Sequence, residues 1–98
     1  MATQKNDDTT IFVGGKPFMN YVTGIVMQFT TNKATEVTIS SRGKFISKAV
    51  DVAEVARKKF LKDQNISIKE IKLDSEDFVS KEGKNVTVST MDIILKKD

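Results

Sequence analysis

Twice in succession, the chain of 98 residues shows a β-strand pattern that ends in a glycine turn and continues as a helical pattern. The first unit predicts a strand at Thr9–Val13 and a helix at Phe18–Asn32, joined through Gly14-Gly15-Lys16-Pro17. The second predicts a strand at Ala34–Ser40 and a helix that ends near Leu61. Because strand–helix–strand connections favour a parallel, right-handed unit, both glycine turns are expected at the same edge of one sheet.

Apolar residues at helical spacing predict the buried face of each helix. In the first helix they are Phe18, Tyr21, Val22, Ile25, Val26 and Phe29, with Met19 and Met27 widening the stripe. In the second they are Ile46, Ala49, Val50, Ala53, Ala56 and Phe60, flanked by Val52 and Val55. The alanines allow this second helix to approach a sheet closely.

Two long strand patterns end the chain, from about Ile66 to Phe78 and from about Asn85 to Lys96. The turn between them contains Gly83, which suits a positive φ angle. The alternation of apolar residues shifts at Lys69-Glu70 and again before Met91, which predicts an irregularity in each strand.

These elements predict an α/β fold, a two-layer sandwich of order β-α-β-α-β-β. A four-stranded mixed sheet carries both helices on one face. Each long strand would span about 40 Å at roughly 3.3 Å per residue, so residues from about 74–88 are expected to project as a hairpin arm. Residues 10–98 form one domain after a flexible polar tail, residues 1–9. This tail lacks the apolar segment of a signal peptide, and no apolar run approaches the roughly 20 residues of a membrane span.

The residue types argue against catalysis and against a cofactor or metal. The chain has no cysteine and no histidine, which removes thiolate and imidazole chemistry and the usual zinc sites. The remaining acid–base candidates are Asp51, Glu54 and Asp92. The first two are expected instead to pair along the helix with Lys48, Arg57 and Lys58. The lack of cysteine is typical of a cytoplasmic protein.

Positive charge is concentrated in the first two-thirds of the chain. Between Lys16 and Lys62 there are nine cations and three acids, a local charge of +6. Between Lys69 and Lys84 there are four cations and five acids, a local charge of −1. The part of the chain that contains both glycine turns is therefore the candidate for an anionic partner.

Each glycine turn combines cations with the start of a helix. Lys16 follows Gly14 and Gly15, while Arg42 and Lys44 flank Gly43, with Lys48 four residues further on. Backbone N–H groups at a helix start, together with the helix dipole, favour anions there. The first turn is not a Walker A loop, because Pro17 follows the lysine. Either turn alone could be a solvated connection, but two at one edge predict contact with nucleic-acid phosphates.

Four blocks of sequence resemble the Alba family of archaeal chromatin proteins, over about residues 10–97. They are Gly15-Lys16-Pro17-Phe18-Met19-Asn20-Tyr21-Val22, Arg42-Gly43-Lys44-Phe45-Ile46-Ser47-Lys48-Ala49-Val50-Asp51, Lys69-Glu70-Ile71 and Val88-Ser89-Thr90. The resemblance implies a cytoplasmic, chromosome-associated homodimer that binds double-stranded DNA, and often RNA, without catalysis. Its body would sit on the phosphate backbone while paired arms reach along the minor groove.

The resemblance also implies roles for individual residues. Lys16, Arg42 and Lys44 are the expected backbone contacts, supported by Lys48. Independently of the resemblance, Gly14, Gly15 and Gly43 lack side chains and permit close approach of the backbone to the nucleic acid. Lys81 and Lys84 are the expected contacts of the arm, and Phe60 matches a position that packs between dimers.

Two departures from the family pattern affect the expected affinity. Many relatives have two consecutive lysines before the proline, and the first of these positions is Gly15 here. The arm is also less basic than is usual. Fewer phosphate contacts predict lower affinity and a shallower salt dependence, and hence weaker or more selective binding than an abundant DNA-coating protein would show. The main alternative is an RNA-binding protein of mRNA handling or of a ribonucleoprotein; a third is a small-anion or nucleotide-binding enzyme.

Overall fold

The computed structural model describes residues 9–98 and has the predicted order β-α-β-α-β-β. Most of the predicted tail, residues 1–9, lies outside the described residues. The strands and helices are β1 (Thr10–Phe12), α1 (Phe18–Thr30), β2 (Glu36–Arg42), α2 (Ile46–Val55), β3 (Ile66–Val79) and β4 (Asn85–Lys97). A 3₁₀ turn, Gly43–Phe45, leads into α2, and a wider π turn, Ala56–Phe60, follows it.

The four strands form one mixed sheet in the order β1-β2-β4-β3. Strand β1 pairs with β2 in parallel, and the other two pairings are antiparallel. Val37 and Ile39 of β2 lie beside Leu95 and Ile93 of β4, and all four are buried on one face of the sheet. The helices cover this face, which confirms the predicted two-layer α/β sandwich.

The buried faces of the helices agree with the predicted stripes in part. In α1 the predicted Tyr21, Val22, Ile25 and Phe29 are buried, whereas Met19 and Met27 are exposed. In α2 and the π turn the buried residues are Ala49, Val52, Ala53 and Ala56. The prediction was wrong for Val50 and Phe60, which are exposed. Apolar residues surround much of this helix, and the face that is buried is the one whose alanines permit the closest approach to the sheet.

One of the two predicted strand irregularities is present. A bulge between Ile68 and Glu70 shifts the register of β3 against β4. It keeps Ile68 and Ile71 on the same face although they are three residues apart, because each pairs with a residue of the inner face of β4. The predicted slip before Met91 was wrong, since β4 pairs without interruption on either side of that residue. Val88 and Met91 are three residues apart in a regular strand, so their side chains lie on opposite faces of the sheet.

The C-terminal part of β3 and the N-terminal part of β4 extend beyond the rest of the sheet. Strand β2 ends at Arg42, opposite Thr90. Beyond this point residues 75–79 and 85–89 pair only with each other. The turn that joins them has Gly83 at φ 83° and a hydrogen bond from the Ser80 amide to the Lys84 carbonyl of 2.8 Å. The described chain is elongated, with extents of 49 × 30 × 20 Å. Neither helix among these residues is long and apolar enough to cross a membrane.

Candidate nucleic-acid interface

Both glycine turns lie at one edge of the sheet, as predicted. Strands β1 and β2 are parallel neighbours, with Phe12 beside Ser40, and each is followed by a connection to a helix. We call residues 14–17 the first loop and Arg42–Phe45 the second loop. The term basic edge denotes the four cations of this region, Lys16, Arg42, Lys44 and Lys48. The side chains of the first three are exposed, and Lys48 is half-buried.

The first loop is held from inside the protein by Tyr21. The Tyr21 hydroxyl oxygen accepts hydrogen bonds from the backbone amides of Gly14 and Lys16, both 2.9 Å long. These two N–H groups therefore point inward and do not form the phosphate cradle that the sequence suggested. Gly15 lies between them, exposed, and a side chain there would meet no atom within 4 Å. Contact of this loop with an anion thus falls mainly to the Lys16 side chain.

The environment of Tyr21 is electropositive. Burial by itself would raise the pKa of its hydroxyl. The amide donors of Lys16 and Gly14 and the charges of Lys48 and Lys16 act in the opposite direction, and together they lower the Tyr21 pKa below its usual value. Hydrogen-bond donors and cations stabilise the phenolate form, so this direction follows from the geometry around the oxygen.

Lys48 connects the two loops. Its ammonium group donates to the carbonyls of Gly14, at 2.7 Å, and Lys16, at 2.6 Å. It also lies 5.1 Å from the ring centroid of Tyr21 and 5.9 Å from that of Phe45 in the second loop. The predicted pairing of Lys48 with Asp51 is thus replaced by contacts with loop carbonyls and aromatic rings.

The second loop depends on a backbone conformation that glycine adopts readily. Gly43 has φ 55°, and a Cβ atom there would lie 3.5 Å from Val88 at the base of the arm. The Arg42 guanidinium forms an ion pair of 2.9 Å with Glu76 of the arm, and both side chains are more than half exposed. The Lys44 ammonium lies 5.4 Å from the ring centroid of Phe45. Arg42 and Lys44 therefore remain accessible, but Arg42 already has an anionic partner.

The arm places its two lysines away from the basic edge. Lys81 and Lys84 are exposed in the turn of the hairpin. From Thr90, which is opposite Arg42, strand β4 extends back to Asn85 over about 17 Å at roughly 3.4 Å per residue. The structure thus brings Lys16, Arg42, Lys44 and Lys48 to one region and leaves Lys81 and Lys84 as a separate pair.

The predicted acid–base candidates do not converge. Glu54 forms a bidentate ion pair with Arg57, with distances of 2.7 to 3.0 Å, as the helical spacing predicted. Asp92 accepts a hydrogen bond from Ser40 on the sheet face opposite the helices. Among residues 9–98, no three acidic side chains are grouped so that they could hold a metal ion.

A family model described as Alba matches residues 9–75. The chain belongs to the Alba family. The DNA/RNA-binding protein Alba 1 of Archaeoglobus fulgidus is 48% identical over 90 residues, which are 92% of this chain and 97% of that protein. The DNA/RNA-binding protein Alba of Methanocella arvoryzae is 47% identical over 93% of this chain and 92% of its own. The solved structure of Alba from Thermoplasma volcanium superimposes with a TM-score of 0.80 at 48% identity, covering 90% of this chain and 99% of that one.

Membership of the Alba family agrees with the predicted absence of catalysis, since these relatives are named as nucleic-acid-binding proteins. The residue that the resemblance assigned to packing between Alba dimers, Phe60, is 53% exposed at the end of the π turn.

Sequence reasoning missed two residues of this candidate interface, Tyr21 and Glu76. Tyr21 was assigned to the core, although a tyrosine early in a helix that follows a glycine loop can direct its hydroxyl back to that loop. Glu76 lies far from Arg42 in sequence, and only the pairing of β3, β4 and β2 brings the two together.

Proposed function

We propose that this Alba-family chain is a non-catalytic nucleic-acid-binding protein that acts on chromosomal double-stranded DNA as a homodimer. The observation that carries the proposal is the position of both basic loops at one edge of the sheet. Parallel pairing of β1 and β2 puts Lys16 beside the loop that contains Arg42 and Lys44. Exposed cations in such an arrangement suit the regularly spaced phosphates of a duplex.

The chemistry of the edge favours contact with the backbone rather than with bases. Lysine and arginine side chains bind phosphate oxygens independently of sequence. Among the described residues, the rings near these loops do not form a cluster on which single-stranded bases could stack. Phe12 is exposed on the sheet face opposite the helices, whereas Phe45 is half-buried between Lys44 and Lys48. The basic loops would therefore follow a duplex backbone, and the arms with Lys81 and Lys84 would lie along the adjacent groove.

The test is a double substitution, Arg42→Ala with Lys44→Ala, assayed on random duplex DNA. We expect affinity to fall on the order of 100-fold at low salt and by similar factors on unrelated sequences, as loss of phosphate contacts requires. The matched control is Lys33→Ala with Lys62→Ala. These exposed lysines precede β2 and β3, at the opposite end of the sheet, and their removal changes the net charge equally. Equal losses in both variants would contradict the proposal.

The homodimer is supported by an apolar row on the edge strand β3. Ile68, Ile71 and Leu73 lie on the helix side of the sheet, yet they are 40%, 52% and 74% exposed. Long apolar edge strands promote association unless something covers them. A second copy of this chain, joined along this row, would bury these side chains and double the basic edge.

The dimer proposal is tested by Leu73→Asp, with the oligomeric state followed by sedimentation velocity. A charge buried at an interface is strongly unfavourable, so we expect a monomer that remains folded. Phe12→Asp is the control, because Phe12 is also 74% exposed but lies in β1 on the other face of the sheet. Phe60→Ala should also leave the dimer mass unchanged, since we assign Phe60 to contacts between dimers. A dimeric Leu73→Asp protein would contradict the assignment of this interface.

RNA is the second candidate ligand, because the relatives from Archaeoglobus fulgidus and Methanocella arvoryzae are named for both nucleic acids. Binding to structured RNA and to duplex DNA should be measured side by side with the same loop variants. Tighter binding to DNA at equal salt supports a chromosomal role. Tighter binding to RNA would favour a role in a ribonucleoprotein instead.

A further inference from the structure

Two side chains from the helices form hydrogen bonds with the main-chain N–H and C=O groups of the first loop. Tyr21 of α1 accepts from the amides of Gly14 and Lys16, each at 2.9 Å. Lys48 of α2 donates to the carbonyls of the same two residues, at 2.7 and 2.6 Å. The ammonium group of Lys48 also lies 5.1 Å from the Tyr21 ring, within the range of a cation–π interaction.

Without these bonds the first loop would be poorly constrained. Two consecutive glycines give it many accessible backbone conformations. A cation on a mobile loop must be ordered when it binds, and this ordering weakens affinity. Four hydrogen bonds to Gly14 and Lys16 fix the main chain on each side of Gly15, while the Lys16 side chain remains exposed.

We propose that Tyr21 and Lys48 form a clamp that fixes the first loop so that Lys16 is presented to a phosphate group, and that both are positioning residues rather than ligand contacts. This inference rests on the proposed nucleic-acid-binding function and assigns Lys48 a different task within it. The sequence suggested Lys48 as a further phosphate contact. Its ammonium group is instead directed to two carbonyl oxygens of the protein.

The two roles of Lys48 predict different coupling to Lys16. A phosphate contact would contribute on its own, so its effect would persist when Lys16 is absent. A positioning residue acts through Lys16, so its effect should disappear in that background. A double-mutant cycle measures this difference.

The binding experiment uses Tyr21→Phe, which keeps the ring and removes the hydroxyl, and Lys48→Met, which keeps the aliphatic stem. Each should weaken binding to duplex DNA about three- to tenfold in the otherwise unchanged protein. In a Lys16→Ala background each should change the affinity less than twofold. In an Arg42→Ala background, the control, each should keep its full effect. Full effects in the Lys16→Ala background would overturn the proposal.

A second measurement tests the clamp without nucleic acid. Tyr21 is the only tyrosine and the chain has no tryptophan, so ultraviolet absorbance of the phenolate reports this residue alone. The Tyr21 pKa should lie below its ordinary value of 10.0 and rise in Lys48→Met, since a neighbouring cation is removed. The same pKa in both proteins would contradict the clamp. Because this titration is independent of binding, a normal clamp in a protein that does not bind nucleic acid would count against the proposed function alone.

Discussion

The two loops of the basic edge have similar sequences but are held in different ways. In the first loop, Tyr21 and Lys48 bond the main chain of Gly14 and Lys16. In the second loop, the main chain turns through Gly43 at φ 55°, and the side chain of Arg42 is paired with Glu76 of the arm. One loop is fixed through its backbone and the other through a cation that it presents.

This difference indicates that the presence of a cation beside a glycine does not by itself determine how strongly a loop would bind phosphate. Lys16 is exposed on a loop whose backbone is already hydrogen-bonded, so we expect the proposed contact with a phosphate to need little further ordering. To make the proposed phosphate contact, Arg42 must exchange the carboxylate of Glu76 for a phosphate oxygen. We therefore expect phosphate binding to be limited by the number of cations in the first loop and by competition from Glu76 in the second.

Of the two changes that test this comparison of the loops, adding a cation to the first loop should have the larger effect. Gly15→Lys fits the open space at this position, where φ is not in the left-handed region. We expect duplex affinity to rise about three- to tenfold and the salt dependence to steepen by about 0.9 for each added contact. Gly15→Gln is the control for a long side chain without charge. If the Gly15→Lys and Gly15→Gln variants bind duplex DNA equally, the charge of the first loop does not limit affinity.

A smaller effect should follow from removing the competitor in the second loop. Glu76→Gln frees Arg42, and we expect duplex affinity to rise about two- to fivefold, the range that an exposed ion pair allows. Glu82→Gln removes the same charge from the turn of the arm, away from this pair. Binding by fluorescence anisotropy should distinguish the two variants. An equal gain in both would mean that only the net charge of the arm matters.

Sequence patterns were sufficient for the fold because they are local. The order of elements, the glycine turns and the bulge near Lys69 follow from periodicity within a few residues. The prediction of the buried face of α2 was less accurate, because apolar residues occupy several faces of this helix and only packing against the sheet selects one. Val50 and Phe60 are exposed for this reason.

The site was predictable in its location but not in its internal contacts. Two parallel strands that are each followed by a helix place both loops at one edge of the sheet, irrespective of the side-chain contacts. The contacts of Lys48 with Gly14 and Lys16, and of Arg42 with Glu76, join residues more than 30 positions apart. Residue spacing predicts contacts only between near neighbours in a helix or strand. The sequence therefore predicted that Lys48 pairs with Asp51, its neighbour in the helix.

The proposed phosphate contacts are tested most directly by the salt dependence of duplex binding for the unaltered protein and for the Arg42→Ala, Lys44→Ala variant. If a dimer loses two phosphate contacts from each chain, the slope of log affinity against log salt should become shallower by about 3.6. The Lys33→Ala, Lys62→Ala control should retain nearly the slope of the unaltered protein. Equal slopes for the unaltered protein and the loop variant would contradict the claim that Arg42 and Lys44 bind the phosphate backbone.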